Sequence, residues 1–567
     1  MTFLRIVCGP AAGVFAMALA LVAAAPVRGA PRGGGTFVTA TYADCTTFNP
    51  YLTSDINSWR IDAVLYDTLL VYDDSLSPQP GLAESWTMAP DAKSWSFKLR
   101  KGVRFHDGRE LTAADVQFTL DLLREPKNRV ARRTCVDELQ ASPQSRDRVR
   151  FETAGDHAFT VWFDRPAPWA IEDWATLPIL PKHCLEGKDL ATDPFNSAMP
   201  VGSGPFKLAE NIRGERIAFE AFDGHWAGRP RFDRLVFQVV PDDRRRLEML
   251  RQGLLDHAQV PTRLLLSGFD DTLRDGYQVY SMVEPSYAYI GWQCDPEKTQ
   301  FFADPRIRRA MTQAIDVDGM LRDVLQGQAV RATTVFERAG WAADAEQRPP
   351  ALDLAKAKEV LNQAGWYDTD GDGFVDRGGQ RFSFVLDAPA GSDAVREQVA
   401  RVVADLAKLG VEARPRFTEW EQFVAERIQP RDFEAIYLAW YVPIEPDPYA
   451  FFHSAGIPST ASPRGLNRNG FSNKEADALI EAARSAVEPA KRRETLVKLD
   501  RLLAAESPYT LLFQARQYGL VGKRVRIERP GAVPRMDPAL KTNVLDVSRL
   551  GMLTPEFLCG SSMTPAK

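Results

Sequence analysis

Ser94-Trp95-Ser96-Phe97-Lys98-Leu99-Arg100-Lys101-Gly102-Val103-Arg104-Phe105-His106-Asp107-Gly108, continued by Leu111-Thr112-Ala113-Ala114-Asp115-Val116, is the stretch from which the fold is read. Trp95 to Arg100 alternates apolar and polar side chains, the period of a strand with one buried face. Val103 and Phe105 carry the pattern into the turn His106-Asp107-Gly108. Thr112 stands three residues before Asp115, the spacing of a capping box. Val116, Leu120 and Leu123 then share one helical face. Residues 95–124 therefore read as strand, turn, helix.

The same grammar recurs along the chain and predicts a mixed α/β protein. Asp304-Pro305 is an N-cap with proline at the first helical position, and Ile307, Ala310, Met311, Ala314 and Ile315 form the stripe behind it. Asp353 opens a helix carrying Leu354, Ala357, Leu361 and Ala364, with Gly365 as its stop. Further helices are expected over 393–409, 474–486 and 489–505. The chain to about residue 285 is richer in strands, 300–505 is richer in helices, and strand character returns from about 510. That texture suggests a first lobe built from both ends of the chain. No internal repeat of fixed period is present.

Arg5, the uncharged run Ala11 to Ala25 and the small residues that follow have the layout of a secretory signal peptide over residues 1–30. No later stretch is long and apolar enough to span a bilayer. The mature chain of about 540 residues exceeds a single domain. Its 45% hydrophobic content can build large cores, and its net charge of −5 argues against nucleic acid as a partner. The expected compartment is the periplasm. Five cysteines follow the leader, at 45, 135, 184, 294 and 559, without a C-x-x-C pair that would suggest zinc or redox chemistry. Spacing cannot assign disulfides. Cys135 and Cys184, in one part of the first half, are the pair put forward.

No metalloprotease, nucleophile-elbow, Walker or dinucleotide motif is present. Gly202-Ser203-Gly204 has the wrong spacing for a nucleophile turn and reads as a turn that needs glycine. Asp368, Asp370, Asp372 and Asp376 match the acidic positions among the first nine of a calcium loop, with Gly373 at the bend, but position twelve is Gly379 where a glutamate should close the shell. An Asp/Gly-rich turn is the favoured reading, and any calcium here would be structural. No other cofactor is expected.

The stretch Leu82 to Val116 resembles the signature region of the family 5 extracellular solute-binding proteins, the dipeptide- and oligopeptide-binding type. Phe48-Asn49-Pro50, Pro181-Lys182-His183, Val201 to Phe206, Asp304 to Ala310 and Trp440 to His453 agree in order. The resemblance implies a two-lobed periplasmic-binding-protein-like α/β fold (type II, cluster C), with an extra subdomain in the first lobe and a ligand cleft between the lobes. By analogy lobe I would hold residues 31–284 and 510–567, and lobe II residues 285–509. The implied function is capture of a peptide-like ligand by hinge closure and delivery to ABC transporter permease subunits, by a monomer without catalytic activity. A sensing role on the same fold and an extracellular hydrolase are the other functions weighed.

The resemblance also implies a site. Cys45, Thr46, Thr47 and Phe48 match the family's first cleft-facing loop. Tyr289, Gly291 and Trp292 match the crossing into the second lobe, and Trp440, Tyr441 and Asp447 the stretch that anchors the ligand's amine. Members of the family carry an aspartate three residues after the tryptophan, where this chain has Pro443. Glu445 and Asp447 are the nearest replacements. Either one of them takes the ammonium, or the ligand has no free amine there and is a modified peptide, an opine-like conjugate or an oligosaccharide, for which Trp292, Trp440 and Tyr441 offer flat faces.

Overall fold

The computed structural model describes residues 34–53, 55–73, 76–128, 149–459, 465–526, 534–537, 540, 542–546 and 562–563. The expected signal peptide and Cys135 lie outside these residues. Cys45, Cys184 and Cys294 are free thiols among the described residues, and the pairing put forward for Cys135 with Cys184 falls outside them.

The deciding stretch folds as strand Ser94–Leu99 and helix Ala113–Arg124. The strand ends earlier than its alternation suggests, because Gly102 takes φ 73° and turns the chain. At the helix start the Asp115 carboxylate accepts from the Thr112 N–H at 2.9 Å and from its hydroxyl at 3.1 Å. Its other oxygen accepts from the Lys182 N–H at 2.9 Å. In the preceding turn Asp107 accepts from His183 Nε2 at 2.6 Å. His106 lies between two more backbone groups: Nδ1 accepts from the Gly202 N–H at 3.1 Å, and Nε2 stands 3.0 Å from the Gly204 carbonyl. Sequence motifs about 70 to 100 residues apart thus form one hydrogen-bonded unit. The glycines of that unit are explained by close approach rather than by an unusual backbone angle. A Cβ at Gly202 would lie 1.8 Å from the Leu65 carbonyl oxygen.

The expected helices form over Pro305–Ala314, Leu354–Gln363, Asp393–Lys408, Lys474–Ser485 and Pro489–Glu506. Ile307, Ala310, Met311, Ala314 and Ile315 are all buried. Gly365 and Gly410 adopt φ 83°, ending two of these helices in the left-handed conformation that glycine tolerates best.

A fourteen-stranded sheet runs through the described residues. Its organising element is the long strand Tyr509–Gly522. The first half of that strand pairs with Ser286–Trp292 and Ala329–Arg331, and the second half with His257–Val260 and Tyr277–Val283. The buried apolar residues divide in the same way. Leu512 and Phe513 join a core drawn from residues 288–437, whereas Tyr518 and Leu520 join one drawn from residues 247–279. This two-lobed α/β fold is crossed twice, at Glu284–Pro285 and near Gln514–Arg516. The crossings are tied together: Gln517 Nε2 donates to Glu284, and Arg516 Nη1 donates to Ser281 Oγ at 2.9 Å. A separate four-stranded sheet holding Ser94–Leu99 belongs to the first lobe.

Candidate ligand-binding site

Strand alternation decides which residues can share a site. Ser286–Trp292 pairs antiparallel with Ala435–Tyr441, setting Tyr287 opposite Trp440 and Tyr289 opposite Leu438. Side chains two apart share a face, so Tyr287, Tyr289 and Gly291 project to one side and Ala288, Ile290 and Trp292 to the other. Tyr287, Tyr289 and Leu438 form one apolar cluster with Val442, while Ala288, Ile290 and Trp292 enter the main core of the second lobe. Trp292 is fully buried there, packs on Phe302 at 4.7 Å, and donates its indole N–H to Thr510 Oγ1 at 2.9 Å. Its expected ligand role is therefore corrected to core packing. Gly291 shares the face of Tyr289, but a Cβ there would meet Asn469 Nδ2 at 2.7 Å, so the glycine serves close packing. Tyr289 is 2% exposed and packs against Tyr509 with ring centroids 4.3 Å apart. Burial raises its hydroxyl pKa well above the usual tyrosine value, with the neighbouring Tyr509 adding to the effect.

Next to this face lies a small, part-open recess with a cavity volume of about 20 Å³, room for about one water molecule. Tyr287, Val335, Phe336, Trp440, Val442 and Phe451 supply its apolar wall. Pro443, Pro446, Asp447 and Pro448 complete it on one side. Trp440 is half-buried, edge-on to Phe451 at 4.8 Å. Tyr441, next along the strand, turns outward and is 58% exposed. Of the stretch expected to anchor an amine, the pocket takes Trp440 and Asp447 and leaves Tyr441 outside.

The two candidate carboxylates are both held by arginines. Glu445, 7% exposed, forms an ion pair with Arg492, itself 6% exposed. Asp447 Oδ2 lies 3.1 Å from Arg484 Nη2, and its Oδ1 accepts from the Tyr449 N–H at 3.2 Å. The Arg484 guanidinium also sits 4.3 Å from the Tyr449 ring and 4.7 Å from the ring of Trp169. Trp169 belongs to the core of the first lobe, so Arg484, on the second-lobe helix Lys474–Ser485, makes a cation–π contact across the cleft. Neither Arg484 nor Trp169 carries a local sequence signal for this role, and both were missed. Tyr287 was legible from its two-residue spacing to Tyr289.

The expected first loop is mostly structural. Phe48 is 1% exposed and packs edge-on to Phe219; Cys45 is 8% exposed and its thiol donates to the Thr47 carbonyl at 3.0 Å. Both belong to the core of the first lobe. Burial, with the Asp62 charge nearby, pushes the Cys45 thiol pKa far up, so this group is not a thiolate nucleophile. Thr46 is exposed but donates to Asp55, which caps the helix Ile56–Asp62. Thr47 Oγ1 donates to the Asn196 carbonyl at 3.3 Å and accepts from the Asn49 N–H at 3.1 Å.

In the aspartate-rich loop, Asp368, Asp370 and Asp372 bring carboxylate oxygens within 4.8 Å of one another. Asp376 is not part of that group. Its Oδ2 accepts from the Thr369 N–H and hydroxyl, which hold its pKa below the usual range. The other three accept N–H groups from Gly371, Gly373, Asp372 and Phe374, and Asp372 pairs with Arg381. These are the internal bonds of a polar turn.

Comparison with known proteins fits this geometry. The model of the bacterial extracellular solute-binding proteins, family 5 Middle, matches residues 77–462. The chain belongs to this family. It is 31% identical over 496 residues to the oligopeptide-binding protein AppA of Bacillus subtilis, covering 86% of this chain and 87% of that one. It is 26% identical over 501 residues to the dipeptide-binding protein of Escherichia coli, covering 84% of this chain and 89% of that one. The structure of the Bacillus AppA in complex with a nonapeptide superposes with TM-score 0.72 at 28% identity, covering 95% of this chain and all of that one. Family 5 is a family of binding receptors rather than enzymes, and of extracellular ones.

Proposed function

We propose that this protein is the periplasmic receptor of an ABC importer, capturing a peptide or peptide-like ligand between its lobes and presenting the closed form to permease subunits. The observation that carries this reading is a two-lobed fold whose lobes meet where Arg484 of the second packs on Trp169 of the first. A ligand held between the lobes touches both only when they are closed, so its binding energy shifts the population toward that state. Such a mechanism needs no catalytic group. Lobe I takes residues 31–284 and the tail from about 515, lobe II the segment between, and the leader at 1–30 directs export of a monomeric receptor. The peptide-binding relatives and the nonapeptide held by a 28%-identical fold support a peptide over a sugar. Native mass spectrometry of the gently purified protein, followed by release and sequencing of what it carries, tests the reading. Short peptides or peptide conjugates are the expected result. Recovery of sugars alone, or turnover of an added peptide pool, would refute it.

A further inference from the structure

A carboxylate, an imidazole and a thiol meet in the first lobe. The ligating atoms of Asp107, His183 and Cys184 all lie within 4.8 Å of one another. Asp107 and His183 are 76 residues apart in the chain, so no short spacing in the sequence announces the group. The two segments that carry it are each held by their own bonds. In the turn, the Gly108 N–H donates to the Phe105 carbonyl at 2.8 Å, and Asp107 Oδ1 accepts from the Arg109 N–H at 3.2 Å. Asp107 Oδ2 is left facing His183, 2.6 Å from Nε2. Lys182–Leu185 is a single helical turn, fixed by the Lys182 N–H on Asp115 at 2.9 Å and by the Cys184 N–H on the Pro181 carbonyl at 3.1 Å. The buried Phe105 sets its ring edge-on to His183 at 5.7 Å, and Cys184 packs half-buried against the core of the first lobe. Supports of this kind, which orient a side chain from behind, are what metal ligands require.

The donor set selects the ion. Sulfur and imidazole nitrogen suit a borderline-soft divalent cation, whereas calcium and magnesium take oxygen. One thiolate and one carboxylate together cancel the charge of such an ion. Tetrahedral zinc holds its ligands at about 2.0–2.3 Å, which sets them about 3.3–3.6 Å from one another. Asp107 and His183 therefore need to part by about 1 Å or less to admit it. Asp107 is exposed and the other two are half-buried, so an ion has a way in and a fourth position is open to water.

We propose that Asp107, His183 and Cys184 form a zinc site that clips the turn at 106–108 to the segment 181–185 of the first lobe. On binding, the Cys184 thiol gives its proton to solvent and the imidazole proton passes from Nε2 to Nδ1. The hydrogen bond between His183 and Asp107 is replaced by a bond from each to the ion. Nothing in the proposal depends on which ligand is held between the lobes.

The test uses the purified protein, kept reduced with a phosphine and stripped of metal by a chelator. It is titrated with zinc chloride by calorimetry and with cobalt chloride by absorption. Zinc should bind, and cobalt should give the near-ultraviolet charge-transfer band of a metal thiolate. Cys184→Ala should abolish the band. That variant and His183→Gln should each weaken zinc binding by about tenfold or more, since loss of a supporting group alone costs a metal site that much. Asp370→Asn, in the separate aspartate-rich loop, should leave the band and the zinc affinity as they are in the parent protein. No cobalt band in the parent, a band that persists in Cys184→Ala, zinc affinity unchanged in either site variant, or a loss of zinc in Asp370→Asn would each overturn the proposal. A second measurement needs no variant and so stands whether or not they fold. Zinc should protect Cys184 of the parent protein from iodoacetamide, read by peptide mass spectrometry, and equal alkylation with and without zinc would overturn the site.

Discussion

Acidification should weaken the protein through His257, by an amount the structure sets. The ring is 2% exposed in the first-lobe sheet, with Nδ1 2.7 Å from Thr39 Oγ1 and Nε2 2.8 Å from the Tyr280 hydroxyl. Tyr280 can lie across this site because the facing residue is Gly519, where a Cβ would fall 2.3 Å from its ring. Two hydroxyls, each able to donate or accept, suit a neutral imidazole. Burial, and secondarily the Arg60 charge, push the pKa down to about 3. The unfolded chain takes up this proton near pH 6.5, so between about pH 3 and 6.5 it binds more protons than the folded chain. The stability contribution is therefore complete above pH 6.5 and declines as the pH falls. At pH 5 the deficit is about 1.5 pH units, or about 2 kcal/mol. His106, pushed down to about 4, and Asp500, pushed up to about 6, titrate in the same window with opposite signs, so the parent protein's total does not isolate His257. Comparison with His257→Gln, whose amide can still bond both hydroxyls, does. Urea unfolding at pH 7 and pH 5 should show a pH effect smaller by about 2 kcal/mol in the variant. Equal pH effects in the two proteins would refute this account of the site.

Three further outcomes follow from the same structure. Arg492→Met should destabilise the second lobe by about 3–5 kcal/mol by removing the ion-pair partner of the buried Glu445, and Glu445→Gln combined with it should recover most of the loss in chemical denaturation; an additive double variant would mean the pair is not coupled. Asp500 has a folded pKa raised to about 6, chiefly by burial, so its ionisation costs stability as the pH rises from about 4 to about 6. Asp500→Asn should accordingly stabilise the protein at pH 7 by up to about 3 kcal/mol and by little at pH 4, measured by urea titration, whereas a loss at pH 7 would show that the carboxylate is needed. Millimolar calcium should move the melting temperature by less than about 1 °C relative to chelator, since Gly379 stands where a glutamate should close the shell, and a shift of several degrees would establish a calcium site.

The fold was legible where local chemistry is strong. Asp304-Pro305, Asp353 with Gly365, and the Thr112–Asp115 box each mark a helix the structure contains, because caps and stops act over three or four residues. The change of partners inside Tyr509–Gly522 was less visible, since a continuous strand switches neighbours without changing its own period. In the candidate site, the segment beginning at Trp440 lines the recess, and the ion pairs of its carboxylates were not legible. Arg484 and Arg492 reach Asp447 and Glu445 from helices about 40 residues downstream, and pairing at that range leaves no pattern in one sequence. The assignment of Trp292 failed for a simpler reason: a strand cannot present residues 289, 291 and 292 on one face.

Solution scattering of ligand-stripped protein, before and after saturation with the peptide recovered from it, tests capture by closure most directly. A smaller radius of gyration with ligand, returning to the larger value after stripping and blunted in Trp169→Ala, which loses the ring that Arg484 meets across the cleft, is the predicted result. Identical scattering with and without bound peptide would contradict it.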